Sequence, residues 1–249
     1  MNQVSNEITS KEYWQQTGVL NSQERDVPPP IATLFKKILK KNEYDGAIAL
    51  EIGCAPGTFL AYICKEFNYQ PEGVDYANGA SEITNHTLRK AGLPRAIIHE
   101  EDFFTWKPSR QYDLVSSFGF VEHFHDLSIG VNKHVDLLKN GGTLVLEVPN
   151  FTNGQYVLHN WLDRDNLVRC NLKAMHISFL EDIVKQHNLD VKYLGYVGGI
   201  FDFWWENEHP NIFQKLAKLL LKPIAYIGRR IPIQNRLFSP FIVLIAEKQ

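Results

Sequence analysis

The residues of this chain best suited to chemistry are two glycines, two aspartates and a histidine. Gly53 and Gly57 stand four apart, after the apolar run 47–50 and Glu51, and a helical pattern begins at Thr58. Strand, tight glycine turn and helix form the front half of a nucleotide-binding βαβ unit. A glycine has no Cβ, so the backbone can come close to a ligand there. Ala55 stands where the usual dinucleotide pattern has its middle glycine, so an ordinary strand-to-helix turn is the alternative. Asp75 ends a second short strand, 18 residues after Gly57. A carboxylate at that position suits hydrogen bonds from ribose hydroxyls. It also suits the N-cap of a helix over 77–91, and the two roles are compatible. Asp102 follows a third strand.

His123 is the best single candidate for a general base, because it follows a fourth strand at the start of a helix. Anchoring that helix is its alternative role. His125 is one residue removed, and His159 and His176 suit surface or structural roles. His123, His125 and Asp126 could hold a metal in principle. No second ligand cluster has matching spacing, so no metal is assigned.

These residues need a scaffold that brings them together. Segments 47–50, 71–76, 96–99, 112–119 and 143–148 read as five strands, with helical periodicity between them. Alternating strands and helices give a parallel sheet with helices on both faces. Ligands then collect beyond the carboxyl ends of the strands, where Gly53, Asp75, Asp102, Ser117 and Pro149 fall. Segment 121–124 leads into a helix expected to run through Leu138, stopped by Asn140, Gly141 and Gly142. Ahead of the first strand, 9–16 reads as a short helix with Ser10 as cap, 26–30 as a stiff connector and 31–41 as an amphipathic helix.

Beyond Pro149 the rhythm breaks. Segment 150–176 is rich in Asn, His, Trp and Arg and suggests an inserted cap. A helix over 177–187, a strand over 189–197, a basic helix over 211–230 and a last strand over 241–246 follow. Phe201, Phe203, Trp204 and Trp205 form an aromatic cluster, suited to core packing or to walling an apolar or sugar-faced acceptor.

With 249 residues, 44% of them hydrophobic, the chain suits one α/β domain with additions. A net charge of −2 argues against a general nucleic-acid binder. The three cysteines form no metal-binding or redox pair, which points to a reducing cytoplasm. The N-terminus reads as no signal peptide, and no apolar run reaches a membrane span of about 18 residues.

Six motifs in this order carry a family resemblance: 51–57 (Glu51 to Gly57), 73–75 (Gly73-Val74-Asp75), 101–103 (Glu101-Asp102-Phe103), 112–115, 121–124 and 137–144. The chain resembles the class I S-adenosylmethionine-dependent methyltransferases over about 45–150, and more loosely to its end. The resemblance implies a Rossmann-like, doubly wound, seven-stranded, mostly parallel α/β sheet with a reversed C-terminal β-hairpin. It implies one domain: an N-terminal helical lid (1–44) that Tyr13 and Trp14 could close, a cofactor core (45–150), a cap and substrate region (151–210), and a basic helix with the last strand (211–249). The cofactor would be S-adenosyl-L-methionine, leaving S-adenosyl-L-homocysteine. Gly53, Cys54, Ala55 and Gly57 would approach its methionine part, with Glu51 holding the loop. Asp75 would accept from the ribose and Tyr76 pack on adenine. Asp102 would accept from the adenine amino group beside Phe103. Ser117 and Phe118 would border the methionine end.

The expected reaction is methylation of a small-molecule, sugar or lipid-linked acceptor, on oxygen first and on nitrogen or carbon as the alternative. In-line methyl transfer needs alignment and exclusion of water, and a hydroxyl nucleophile also needs a base. A nicotinamide-dependent oxidoreductase would share the glycine turn and Asp75, but leaves Glu51 and the 101–103 motif unexplained. A non-catalytic binding protein on the same fold is a further rival.

Segment 211–236 carries six basic residues (Lys215, Lys218, Lys222, Arg229, Arg230, Arg236) and no acidic one. Lys215, Lys218, Lys222 and Arg229 share a helical face, opposed by Phe213, Leu216, Leu220, Ile224 and Ile227. Pro223 is expected to kink or break this helix. A helix packed on the sheet with a solvated basic face is the first expectation. Contact with a membrane, or with an anionic acceptor, is the sharper alternative.

Overall fold

In the computed structural model, which describes residues 6–17, 26–203, 207 and 209–249, the apolar runs form the centre of one seven-stranded sheet. The elements are α1 (Lys11–Thr17), α2 (Pro29–Ile38), β1 (Ile48–Ile52), α3 (Thr58–Phe67), β2 (Gln70–Val74), α4 (Ala80–Lys90), β3 (Ile97–His99), β4 (Tyr112–Phe118), α5 (Leu127–Asp136), β5 (Leu138–Pro149), α6 (Asn153–Leu162), α7 (Arg164–Val168), α8 (Ile177–Gln186), β6 (Leu189–Val197), α9 (Ile212–Gly228) and β7 (Phe241–Lys248). The strand order is β3-β2-β1-β4-β5-β7-β6. Strands β1 to β5 are parallel, and β7 runs antiparallel to both β5 and β6.

Successive side chains of a strand point to opposite faces. The central strands are apolar at consecutive positions, so both faces must be covered. Leu50, Val115, Leu144 and Leu244 meet α5 and α8 on one face. Ala49, Leu114, Val145 and Val243 meet α2, α3 and α4 on the other. Burying one such Leu or Ile side chain stabilises by about 1.5–3 kcal/mol. The doubly wound α/β fold expected from sequence is the observed one.

The order in which strands are added reverses between β1 and β4, and their carboxyl ends open a crevice there. Two local expectations change. The segment after β4 is a single 3-10 turn (Val121–His123), followed by an Asp126-capped α5. Asn140, Gly141 and Gly142 do not end that helix; they lie inside β5. Tyr112 pairs with Leu138, and the register slips before Leu114 pairs with Thr143. Gly141, at φ +78°, supplies the left-handed residue of that irregularity. The stretch 150–176 is helical in α6 and α7, with a further 3-10 turn at Leu172–Met175.

Candidate active site

The glycine turn is built for close approach. Gly53 has φ +69°, and a Cβ there would lie 2.9 Å from the Phe120 ring. Gly57 has φ +93°, and its Cβ would lie 2.8 Å from the Thr84 side chain. Both positions are closed to larger residues by conformation and by space. Asp75 ties this turn to the next one. Its Oδ2 accepts from the Ala55 amide at 3.1 Å, and its Oδ1 from the Ala77 amide at 2.9 Å. Each oxygen keeps acceptor capacity for a ligand. Burial raises the carboxyl's pKa, and the two amides oppose that. Asp75 is not the cap of α4, which starts after Gly79 at φ +83°.

Asp75 faces a cavity of about 170 Å³ with Gly53, Ala55, Tyr76, Phe103 and Phe118 in its walls. Trp14 of α1 and His123 also line it. Phe118 stacks on Phe59 at 3.8 Å between centroids and 7° between planes, so its ring is held flat. Burial pushes the Tyr76 hydroxyl well above the usual range. The cavity thus has an acidic end and an aromatic body.

Three expected residues are turned elsewhere. Asp102 lies outside that lining, and its neighbour Glu101 is in it. Its Oδ2 pairs with Lys11 Nζ at 2.5 Å and its Oδ1 accepts from the Phe104 amide at 2.9 Å. The turn after the three-residue β3 directs this carboxylate to α1. Ser117 is fully buried, and its hydroxyl meets His134 Nε2 of α5 at 3.0 Å. Strand alternation sends Phe118 to the cavity and Ser117 away from it. The Cys54 thiol packs against Gly73, where an added Cβ would meet its Sγ, so Cys54 offers only backbone to the cleft.

A larger cleft of about 2080 Å³ continues past β4 and β5. Three acidic residues, Glu51, Glu122 and Glu147, line its floor, and all three are buried. Burial raises the pKa of each; for Glu147 it reaches about 8. The proximity of Glu147 raises Glu122 further. Like charges in a low-dielectric site disfavour double ionisation, so this pair favours holding a proton. Glu51 Oε2 and Glu122 Oε2 find no hydrogen-bond partner among the described residues.

His123 lies between the two spaces and lines both. Its Nδ1 is 3.0 Å from the Arg169 carbonyl and 3.1 Å from Thr9 Oγ1, and that hydroxyl donates to the same carbonyl at 2.9 Å. A carbonyl only accepts, so a protonated Nδ1 donates to Arg169, and the Gly119 backbone also favours a proton on the ring. Nε2 is 3.8 Å from Glu122 Oε1. Burial lowers the imidazole pKa to about 4, so the ring is neutral at neutral pH. Trp14 packs edge-on against it at 4.8 Å.

Among the other histidines, His159 is buried beside Phe151 and Asp163. His176 precedes α8 as its N-cap residue. Trp204 and Trp205 lie outside the described residues, whereas Phe203 packs into a small core with Leu162 and Ala217. Among the described residues no group of three or more metal-ligating side chains occurs. Sequence reasoning missed Glu122 and Glu147 as site residues. The available signal was a carboxylate inside an otherwise apolar strand end.

A family model described as a methyltransferase domain matches residues 23–194. The chain belongs to the methyltransferase-domain family. It is a class I S-adenosylmethionine-dependent methyltransferase, as its motifs implied, and the oxidoreductase alternative falls away. Solved structures share its fold. Magnesium protoporphyrin IX methyltransferase from Synechocystis PCC 6803, with bound S-adenosylhomocysteine, is 12% identical over 96% of this chain and 98% of that one, with a TM-score of 0.61. Geranyl diphosphate C-methyltransferase from Streptomyces coelicolor is 13% identical over 88% and 78%, at 0.56. The N-methyltransferase NodS from Bradyrhizobium japonicum is 12% identical over 97% and 94%, at 0.52. A comparison with curated protein sequences gives no match.

Proposed function

We propose that this enzyme transfers a methyl group to a hydroxyl oxygen of a small-molecule, sugar or lipid-linked acceptor. The observation that carries this reading is the buried imidazole of His123 at the junction of the two spaces, anchored through Nδ1 by the Arg169 carbonyl. Methylation of carbon or nitrogen by other enzymes of this fold marks the alternatives.

The cavity around Asp75 fits the cofactor. Asp75 has free lone pairs for two hydroxyls, Tyr76 and Phe103 offer flat walls for a purine, and the left-handed Gly53 leaves its backbone open. Glu51, Ala55, Gly57 and Phe118 complete this proposed set, with Cys54 contributing backbone. The buried, unpartnered Glu51 Oε2 is an acceptor awaiting a donor or a positive charge. When bound, S-adenosylmethionine supplies an electrophilic methyl carbon at a sulfonium. The chain's own task is alignment, dryness and proton removal. Trp14 covers His123 and limits water there. His123 accepts the hydroxyl proton, and Arg169's carbonyl anchors the ring through Nδ1. Glu122, 3.8 Å from Nε2, is the nearest carboxyl to which a proton taken up by the ring can pass.

The test is His123→Ala and His123→Gln, assayed for S-adenosylhomocysteine formation across a panel of hydroxyl acceptors. We expect turnover to fall by about 10²-fold or more with cofactor affinity retained. Intact turnover in both variants would remove His123 from the reaction.

A further inference from the structure

Helix α9 is inverted relative to an ordinary surface helix. Its buried residues are the small ones, Ala217, Ala225 and Gly228. Gly228 lies so close to Phe201 that a Cβ there would collide with its backbone. The large apolar side chains point outward: Phe213 is 71% exposed, Leu219 67%, Leu220 71% and Ile227 61%. Ile212, Leu216 and Ile224 share that outer side, and Trp161 at the end of α6 is exposed next to it. Gln214 Nε2 donates to the Trp161 carbonyl at 3.0 Å, which fixes the two helices together. The helix does not lie on the sheet as first expected, and it runs through Pro223 without a break.

An apolar surface of this extent, continuous along a 17-residue helix, needs a cover. Lys215, Lys218 and Lys222 border one side of it, and Arg229 and Arg230 its end, with no acidic residue in 211–236. Arg229 is paired with Asp202 at 3.1 Å, and self-association across this face would bring the remaining cations together with no acidic residue in the segment. An anionic lipid surface answers both features at once, apolar residues entering the acyl boundary and lysines meeting headgroups. Among the described residues no helix is long and apolar enough to cross a membrane, which leaves a helix lying in the interface. We propose that α9, with Trp161, docks the enzyme on the surface of a bilayer containing anionic lipid. Gln214, Arg229 and Arg230 also line the large cleft, so docking turns one rim of the cleft toward the headgroups. The docking does not depend on the transfer to oxygen proposed above.

The test is flotation of the full chain with vesicles of phosphatidylcholine alone, or with phosphatidylserine added, at low and high salt. We expect partitioning onto anionic vesicles that falls at least about tenfold at high salt. Replacing Lys215, Lys218 and Lys222 with Gln is expected to lower it by about 100-fold at low salt. Replacing Phe213, Leu219 and Leu220 with Gln is expected to abolish it. These side chains are exposed, so S-adenosylhomocysteine affinity, measured alongside, stays at the wild-type value and reports an intact fold. Absence of wild-type binding to anionic vesicles at low salt would overturn the proposal, as would binding retained by either triple variant. A lipid-independent dimer that dissociates in the apolar variant would assign the face to a second copy instead.

Discussion

Along the line of strand ends, the side from β1 to β3 and the side from β5 to α9 position their chemistry by different means. On the first, backbone does the positioning. Asp75 is tied to two loop amides, and Gly53 and Gly57 hold left-handed turns that other residues would strain. On the second, buried ionisable side chains do it: Glu122, Glu147 and His123 sit in a cleft whose far wall is irregular chain and α9. Backbone geometry requires short, local residue patterns. A pocket lined by side chains from distant elements requires none.

The largest effect expected from this contrast is at Asp75. Asp75→Ala removes the tie between the two loops and the acceptor for two hydroxyls. Each hydrogen bond to a charged group is worth about 1.5–3 kcal/mol, so S-adenosylhomocysteine affinity should fall by about 10²-fold or more. Titration calorimetry measures it, and an affinity within threefold of wild type (about 0.7 kcal/mol) would break the contrast at its stronger end.

Legibility in the sequence follows the same division. The five parallel strands and the turn at Gly53 were readable because apolar period and glycine spacing are local signals. The orientation of Ser117 was not. Facing the cavity or facing His134 differs by one step of strand alternation, which neighbouring apolar residues on both faces conceal. The pairing of Asp102 with Lys11 was not legible because the two lie 91 residues apart. In α9 the amphipathic pattern was visible, but its direction was not: periodicity identifies an apolar face without saying whether protein covers it. The small residues Ala217, Ala225 and Gly228 were the clue to which side packs.

A middle-sized effect is expected on the acceptor side, read as stability against pH. Glu147 has a folded pKa of about 8, raised by burial from the ordinary carboxyl value. A raised acid favours the folded state below its unfolded pKa and loses that contribution as pH rises through its folded one. The window is therefore about pH 4.5 to 8. His123 and His134, lowered to about 4, act oppositely: their contribution is present above the ordinary histidine value and is lost as pH falls through about 4. Glu147→Gln cannot ionise. Its melting temperature should gain on wild type by about 5–10 °C between pH of about 6 and 9, or roughly 2–3 kcal/mol at this chain length. A constant difference across that range would show that Glu147 does not hold its proton.

The smallest effect belongs to the ion pair between α1 and the turn after β3, beside the cavity around Asp75. Lys11 of α1 reaches Asp102 at 2.5 Å, with both side chains partly exposed. The same α1 carries Trp14, which lines both the small cavity and the cleft. The ion pair therefore holds α1, and with it Trp14, against the turn after β3. Exposed pairs of this kind are worth about 0.2–1 kcal/mol, so Lys11→Ala should weaken S-adenosylhomocysteine binding by less than about fivefold. Asp102→Ala then discriminates between two roles. If Asp102 serves only the latch, the two variants and their double mutant lose the same amount, because either change removes one interaction. If Asp102 takes the adenine amino group when Lys11 swings away, Asp102→Ala loses more than Lys11→Ala by a further charge-assisted hydrogen bond, about 1.5–3 kcal/mol. Equal losses make the cavity wall complete with Glu101 and Phe103 alone. Unequal losses make α1 a competitor of the cofactor for one carboxylate, and tie lid opening to binding.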